Sequence, residues 1–202
     1  AMAYGSQMGI VNGFSDPQNH KNLLKEYKDS FPKAADAGLV NVICFSGNRN
    51  GLSDAAGLEI CAKGLEPVVK LAEKHNIVLT MELLNSKVDH QDYLCDHTEW
   101  GVALTDKLGS SNFKLLYDIY HMQIMEGDVI ATIQKRKDYI SHYHTAGVPG
   151  RNEIDETQEL YYPAIMKAIA DTGFTGHVAQ EFIPKQQDAL ASLKKGIEIC
   201  DI

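Results

Sequence analysis

The chain has 202 residues, 44% of them hydrophobic and 23% charged, which is enough for one sizeable core and argues against disorder. Its formal charge of -8 disfavours a phosphate-backbone partner, since nucleic-acid binding concentrates Lys and Arg; the dense basic run Lys135-Arg136-Lys137 reads as a solvated helix face. No apolar run reaches the roughly 18–20 residues that span a bilayer, and Ala1-Met2-Ala3-Tyr4 has no leader-like pattern. The expectation is therefore a cytoplasmic protein of one domain over 1–202. Ala1 looks like a tag remnant and Met2 like the natural start. Cys44, Cys61, Cys95 and Cys200 have no C-x-x-C spacing and read as reduced, structural thiols.

In chain order, Ala3–Ser6 offers a possible first strand, leading to a helix around Asn19–Ala37. Val40–Ser46 is a β-branched run followed by a helix capped at Ser53 or Asp54 and ending near His75. Ile77–Leu83 predicts the next strand, with a helix near Asp96–Lys107. Phe113–Ile119 precedes a helix near Asp128–Lys137. Tyr139–Thr145 runs into the long loop Ala146–Glu159 and a helix near Leu160–Asp171. His177–Ile183 is the last strand, followed by a helix over Gln187–Ile199. About six βα units predict a parallel sheet covered by helices, either an open doubly wound sheet or a (β/α)8 barrel short of its usual ~250 residues.

Each of the last four strands delivers a metal-competent side chain near its C-terminal end: Glu82, Asp118, His144 and Glu181. Strand alternation places Val78, Thr80 and Glu82 on one face, Ile140, His142 and His144 on one face, and His177, Ala179 and Glu181 on one face. A single acid at a strand end is commonly a helix cap, and a lone strand His is commonly hydrogen-bonded structure. Four in succession on the expected face favour a shared site. Four strand ends of an open sheet spread over roughly 14 Å, too far for one cation. If the four residues form one site, the sheet must close.

The stretches Met81–Lys87 (MELLNSK), Leu115–Asp128 (LLYDIYHMQIMEGD), His142–Arg151 (HYHTAGVPGR) and Gln180–Pro184 (QEFIP) resemble the hydroxypyruvate isomerase family of xylose-isomerase-like TIM barrels. The resemblance implies that Glu82, Asp118, His144 and Glu181 are metal ligands and that His121 and Arg151 contact substrate oxygens. It implies an isomerase interconverting hydroxypyruvate and tartronate semialdehyde, or a related sugar or hydroxy-keto acid, through an enediolate. Glu82 and Glu181 would exchange the proton, and His142 would brace a ligand from behind. Arg151 suits a substrate carboxylate or, equally, a surface ion pair. Asn85 would hydrogen-bond a substrate hydroxyl or cap its loop. The donor set suits Mg²⁺ or Mn²⁺, with Zn²⁺ competing. A ketose 3-epimerase would use the same ligands, whereas an endonuclease IV-like enzyme would need more His and a basic groove. Family members carry two further βα units ahead of this segment. Their lack here predicts exposed edge strands, self-association into a dimer or exchanged assembly, low activity, or a metal-binding remnant.

Overall fold

The computed structural model describes residues 9–202. The elements are α1 (His20–Asp36), β1 (Asn41–Cys44), α2 (Asp54–Lys74), β2 (Val78–Glu82), α3 (Thr98–Leu108), β3 (Phe113–Asp118), α4 (Ile119–Met125), α5 (Val129–Arg136), β4 (Ile140–Thr145), α6 (Tyr162–Asp171), β5 (Val178–Gln180) and α7 (Ala189–Cys200). Ser53 caps α2 by accepting from Ala56 N–H at 3.2 Å. Gly109, at φ 62°, ends α3 in the left-handed region that glycine enters without strain.

The five strands pair in parallel in the order β1-β2-β3-β4-β5. They curl into part of a barrel, as one contact demonstrates: Asn41 Nδ2 on β1 donates to the Ser141 carbonyl on β4 at 3.4 Å. In a flat sheet those strands would stand roughly 14 Å apart. The register is staggered as tilted barrel strands require. Glu82 pairs with Leu116, two residues below Asp118; Asp118 pairs with His144; His144 pairs with Ala179, two residues below Glu181. An irregularity between Leu115 and Leu116 lets β4 gain one residue on β3, which sets Asp118 level with His144. The outward side chains Leu79, Met81, Phe113, Leu115, Tyr117 and Tyr143 are buried under the helices.

The possible strand at Ala3–Ser6 lies outside the described residues. Among the described residues, β1 and β5 are therefore the sheet edges. Two features differ from the expectation. A short helix, α4, starts at Ile119 directly after β3, where the sequence reading extended the strand to Ile119 and placed no helix before Asp128. The last strand stops at Gln180 rather than Ile183, although Glu181 N–H still donates to the Thr145 carbonyl at 2.9 Å. Beyond it the chain turns away to be held by Glu153. This buried carboxylate accepts from Lys185 N–H at 2.9 Å, Gln186 N–H at 3.0 Å and the Ser192 hydroxyl at 3.0 Å.

Burial alone would raise the Glu153 pKa, but these donors bring it down to about 2 from an ordinary 4.5. A carboxyl with a depressed folded-state pKa stabilises fully above the unfolded value, and that stability is lost as pH falls through the folded one. Glu153→Gln should therefore lower stability near neutral pH by about 1–2 kcal/mol. The gap from the unmodified chain should close between pH ~4.5 and ~2. Thermal melts of both proteins across that window measure it, and a gap that stays constant would contradict the anchoring role.

Candidate metal centre

Glu82 ends β2, Asp118 ends β3, His144 lies on β4 and Glu181 directly follows β5. One ligand-competent atom from each lies within 4.8 Å of all the others. Two ligands on opposite sides of one cation, each at ~2.0–2.6 Å, would be about 4–5 Å apart, so a single ion fits. His144 Nδ1 sits at the middle, 2.9 Å from Glu181 Oε2, 3.2 Å from Glu82 Oε1 and 3.8 Å from Asp118 Oδ2. Glu82, Asp118 and His144 are buried, whereas the Glu181 side chain, on the edge, is 41% exposed.

Asp118 is divided between two tasks. Its Oδ1 caps α4 by accepting from His121 N–H at 3.1 Å, while its Oδ2 is buried with no hydrogen-bond partner. A buried carboxylate oxygen without a donor is costly unless a cation completes it. The electrostatics agree. Burial, with the charges of Glu82 and Glu181, pushes the Asp118 carboxyl up to about 8 against the opposing pull of His144. Burial likewise raises Glu82. Burial alone would lower His144, but hydrogen bonds to Glu181 and Glu82 hold it up at about 10. Burial would raise Glu181, but His144 and Arg151 draw it down to about 2. Three carboxylates are thus gathered around one imidazole whose proton stands where a cation would. The donor set of three oxygens and one nitrogen fits a divalent ion.

The other anticipated residues surround this group. Arg151 Nη2 donates to Glu181 Oε2 at 2.6 Å, its guanidinium lies 5.7 Å from the Tyr120 ring centroid, and its Nε is buried without a partner. His121 is fully buried, with Nε2 unpartnered and 3.8 Å from Asp118 Oδ2. Burial, with the nearby charges of Arg151 and His90, lowers its pKa to about 3. His142 packs edge-on against the His144 ring at 5.2 Å between centroids. Its Nδ1 has no hydrogen-bond partner, so its contact with that ligand is ring against ring. Asn85 is the loop cap: its Oδ1 accepts from Val88 N–H at 3.1 Å and Asp89 N–H at 2.8 Å.

Three supporting residues gave no signal in the sequence. The Tyr93 hydroxyl donates to the Glu82 carbonyl at 3.0 Å and accepts from Ser46 N–H at 3.0 Å, tying β2 to the end of β1. The Tyr162 hydroxyl donates to the Ala146 carbonyl at 2.7 Å and accepts from Ala146 N–H at 3.0 Å, fixing the chain just after His144. Asp89 Oδ2 accepts from Asn85 and Tyr120. Isolated tyrosines read as core, and only their partners reveal these roles.

A family model described as xylose isomerase-like TIM barrel matches residues 3–200. The chain belongs to this family. It is 32% identical over 123 residues to hydroxypyruvate isomerase of Escherichia coli K12, covering 61% of this chain and 47% of that protein. It is 26% identical over 190 residues to D-psicose 3-epimerase of Enterocloster bolteae, covering 88% and 59%. The chain spans about half the length of the curated relatives it matches. A crystal structure of D-psicose 3-epimerase with D-tagatose from Clostridium cellulolyticum H10 shares the fold, with a TM-score of 0.81 at 19% identity, covering 99% of this chain and 78% of that one. The sheet is accordingly an incomplete (β/α)8 barrel, and the barrel alternative holds over the open sheet. No helix among the described residues is long and apolar enough to cross a membrane.

Asp118→Asn tests the centre, because it keeps the α4 cap while removing a carboxyl whose ionisation burial and the neighbouring acids oppose. Near neutral pH the metal-free variant should melt higher than the unmodified chain, by about 1 kcal/mol, because the unfolded chain no longer gains from ionising a group the fold keeps protonated. Mn²⁺, Mg²⁺ or Zn²⁺ at 100 times its dissociation constant should stabilise the unmodified chain by about 2.7 kcal/mol and the variant far less. Equal metal-induced shifts in both would remove Asp118 from the ligand set.

Proposed function

We propose that the chain is a divalent-metal-dependent isomerase that interconverts hydroxypyruvate and tartronate semialdehyde, or a closely related small hydroxy-keto acid. The observation that carries this reading is the convergence of Glu82, Asp118, His144 and Glu181 on one cation-sized space. The relatedness to hydroxypyruvate isomerase supports the reaction type. Mg²⁺ or Mn²⁺ suits the hard oxygen donors, with Zn²⁺ a competitor. A cation held by the four residues would act as Lewis acid toward two adjacent substrate oxygens. Asp118 and His144, both buried, would hold it. Glu181, the carboxylate held ionised by His144 and Arg151, takes a proton from one carbon, and Glu82, entering the cycle protonated as its burial favours, gives its own proton to the neighbouring carbon. The hydroxyl proton passes to the former carbonyl oxygen, and transfer of the proton on Glu181 to Glu82 resets the pair. Arg151 would receive a substrate carboxylate, a role its unpartnered Nε–H supports. His121 offers an N–H toward a substrate oxygen.

Glu181→Gln keeps the shape of the side chain but removes the base. Turnover of hydroxypyruvate with added Mg²⁺ or Mn²⁺ should fall by roughly 10²–10⁴-fold while the far-UV circular dichroism stays that of the folded chain, with a lower melting temperature because His144 and Arg151 lose a charged partner. Retained turnover would exclude the two-glutamate mechanism. The second reading, a ketose 3-epimerase, rests on the relative whose alignment covers 88% of this chain. Conversion of D-psicose in the same assay, with hydroxypyruvate untouched, would favour it. Neither conversion, alongside intact metal binding, would leave a metal-binding remnant.

Self-association belongs to the same reading. On α7 Ser192 is buried against Glu153 and Gly196 against Gln180 of β5, whereas Leu190, Leu193 and Ile197 are exposed along one stripe of the helix. Two copies would bury this stripe against each other. Light scattering should give a dimer, and Leu193→Lys with Ile197→Lys should give a monomer. A monomeric unmodified chain at micromolar concentration would refute the association.

A further inference from the structure

The amide of Asn85 can be oriented without ambiguity. Its Oδ1 faces two backbone N–H groups, those of Val88 and Asp89, which can only donate. Its Nδ2 therefore points the other way, to Asp89 Oδ2 at 2.6 Å and His121 Nδ1 at 2.7 Å. The backbone N–H of Asn85 also points at His121 Nδ1, at 3.2 Å. Both neighbours of that ring nitrogen are donors, so Nδ1 must carry the lone pair. Asp89 is itself fixed from the far side by the Tyr120 hydroxyl at 2.7 Å. The remaining ring nitrogen, Nε2, is buried, has no partner, and lies beside the candidate metal centre, 3.8 Å from Asp118 Oδ2, beyond hydrogen-bonding distance.

We infer that Asn85, backed by Asp89 and Tyr120, is a positioning residue that locks His121 as the neutral Nε2–H tautomer, so that the site receives a fixed N–H donor rather than a base. A donor of this kind is matched to an oxygen that gains negative charge during reaction, such as a carbonyl becoming an enediolate oxygen. His121 then stabilises charge and moves no proton, which leaves proton transfer to the carboxylates. The catalytic consequence rests on the isomerase reading above; the tautomer does not.

The test is the ¹⁵N spectrum of histidine-labelled protein at pH 7.5, with and without Mg²⁺, His121 being assigned by its loss in His121→Gln. A pyridine-type Nδ1 and a pyrrole-type Nε2 are expected. A protonated Nδ1 in the unmodified chain would overturn the inference without need of any variant. Asn85→Asp places a carboxylate against Nδ1 and should draw a proton onto it, lowering kcat for hydroxypyruvate by roughly 10²-fold with a smaller change in KM. An unchanged His121 spectrum in Asn85→Asp would remove Asn85 from the positioning role. The expected spectra without any isomerase turnover would leave the lock standing and refute the proposed reaction.

Discussion

The curvature of the sheet is the constraint on which the rest depends. Four side chains on four neighbouring parallel strands can approach within 4.8 Å only if the sheet turns them toward a common axis. The Asn41–Ser141 contact across the inside and the stagger of two, zero and two residues between successive ligand positions are two signs of that turn. Closing three carboxylates on one another is unfavourable in itself. Helix packing over Leu79, Phe113, Leu115 and Tyr143 supplies the opposing term, since burying each such side chain is worth about 1.5–3 kcal/mol. The hydrophobic shell outside the sheet thus sustains electrostatic crowding inside it, and the crowding is what a cation would relieve.

Around this centre, backbone positions are fixed by side chains one step removed. Tyr93 holds the strand end that carries Glu82, Tyr162 holds the turn after His144, and Glu153 holds the chain that leaves Glu181. Each tie joins two segments distant in sequence, so the strand ends cannot drift independently. The same logic explains Arg151, which adopts φ 60° and yet delivers its guanidinium to Glu181. A non-glycine residue in that conformation costs of order 1–3 kcal/mol. The Gly147–Asn152 bridge and the Arg151 carbonyl accepting from Ile183 N–H at 2.6 Å hold it there.

Much of this was legible in the sequence because a strand has period 2 and a parallel sheet ends all its strands on one side. Val78–Thr80–Glu82 and Ile140–His142–His144 alternate cleanly, so the facing of Glu82 and His144 could be read before any coordinates. The helix over Asp54–Lys74 was equally readable from Ser53. Helix α4 was not, because Ile119-Tyr120-His121-Met122 has the β-branched and aromatic character of a continuing strand. What ends the strand is the Asp118 side chain capping the next turn, a second role for a residue whose strand-end position points to metal ligation. Asn85 left two readings open for a related reason: an amide can serve a ligand or its own loop, and only its partners decide. Glu181 lies beside the other three although β5 ends before it, because its backbone continues the ladder onto Thr145.

The site is also lopsided in a way that bears on how it would work. Glu82, Asp118 and His144 sit on inner strands and are nearly inaccessible, so their geometry is set by the fold before any ligand arrives. Glu181 lies past the edge strand, 41% exposed, and is held by His144 from within and by Arg151 from outside. Under the proposed reading, Arg151 has two claimants, the Glu181 carboxylate and a substrate carboxylate. Its fork can serve both, since Nη2 is engaged with Glu181 while Nε is spare. Arrival of an acid substrate would then draw part of the positive charge away from Glu181 and raise its basicity at the moment a base is needed. A neutral sugar would leave the Glu181–Arg151 pair as it stands. The chemistry of one arginine, more than the metal ligands that isomerases and epimerases of this kind would share, is therefore where a preference between the two substrate classes would arise.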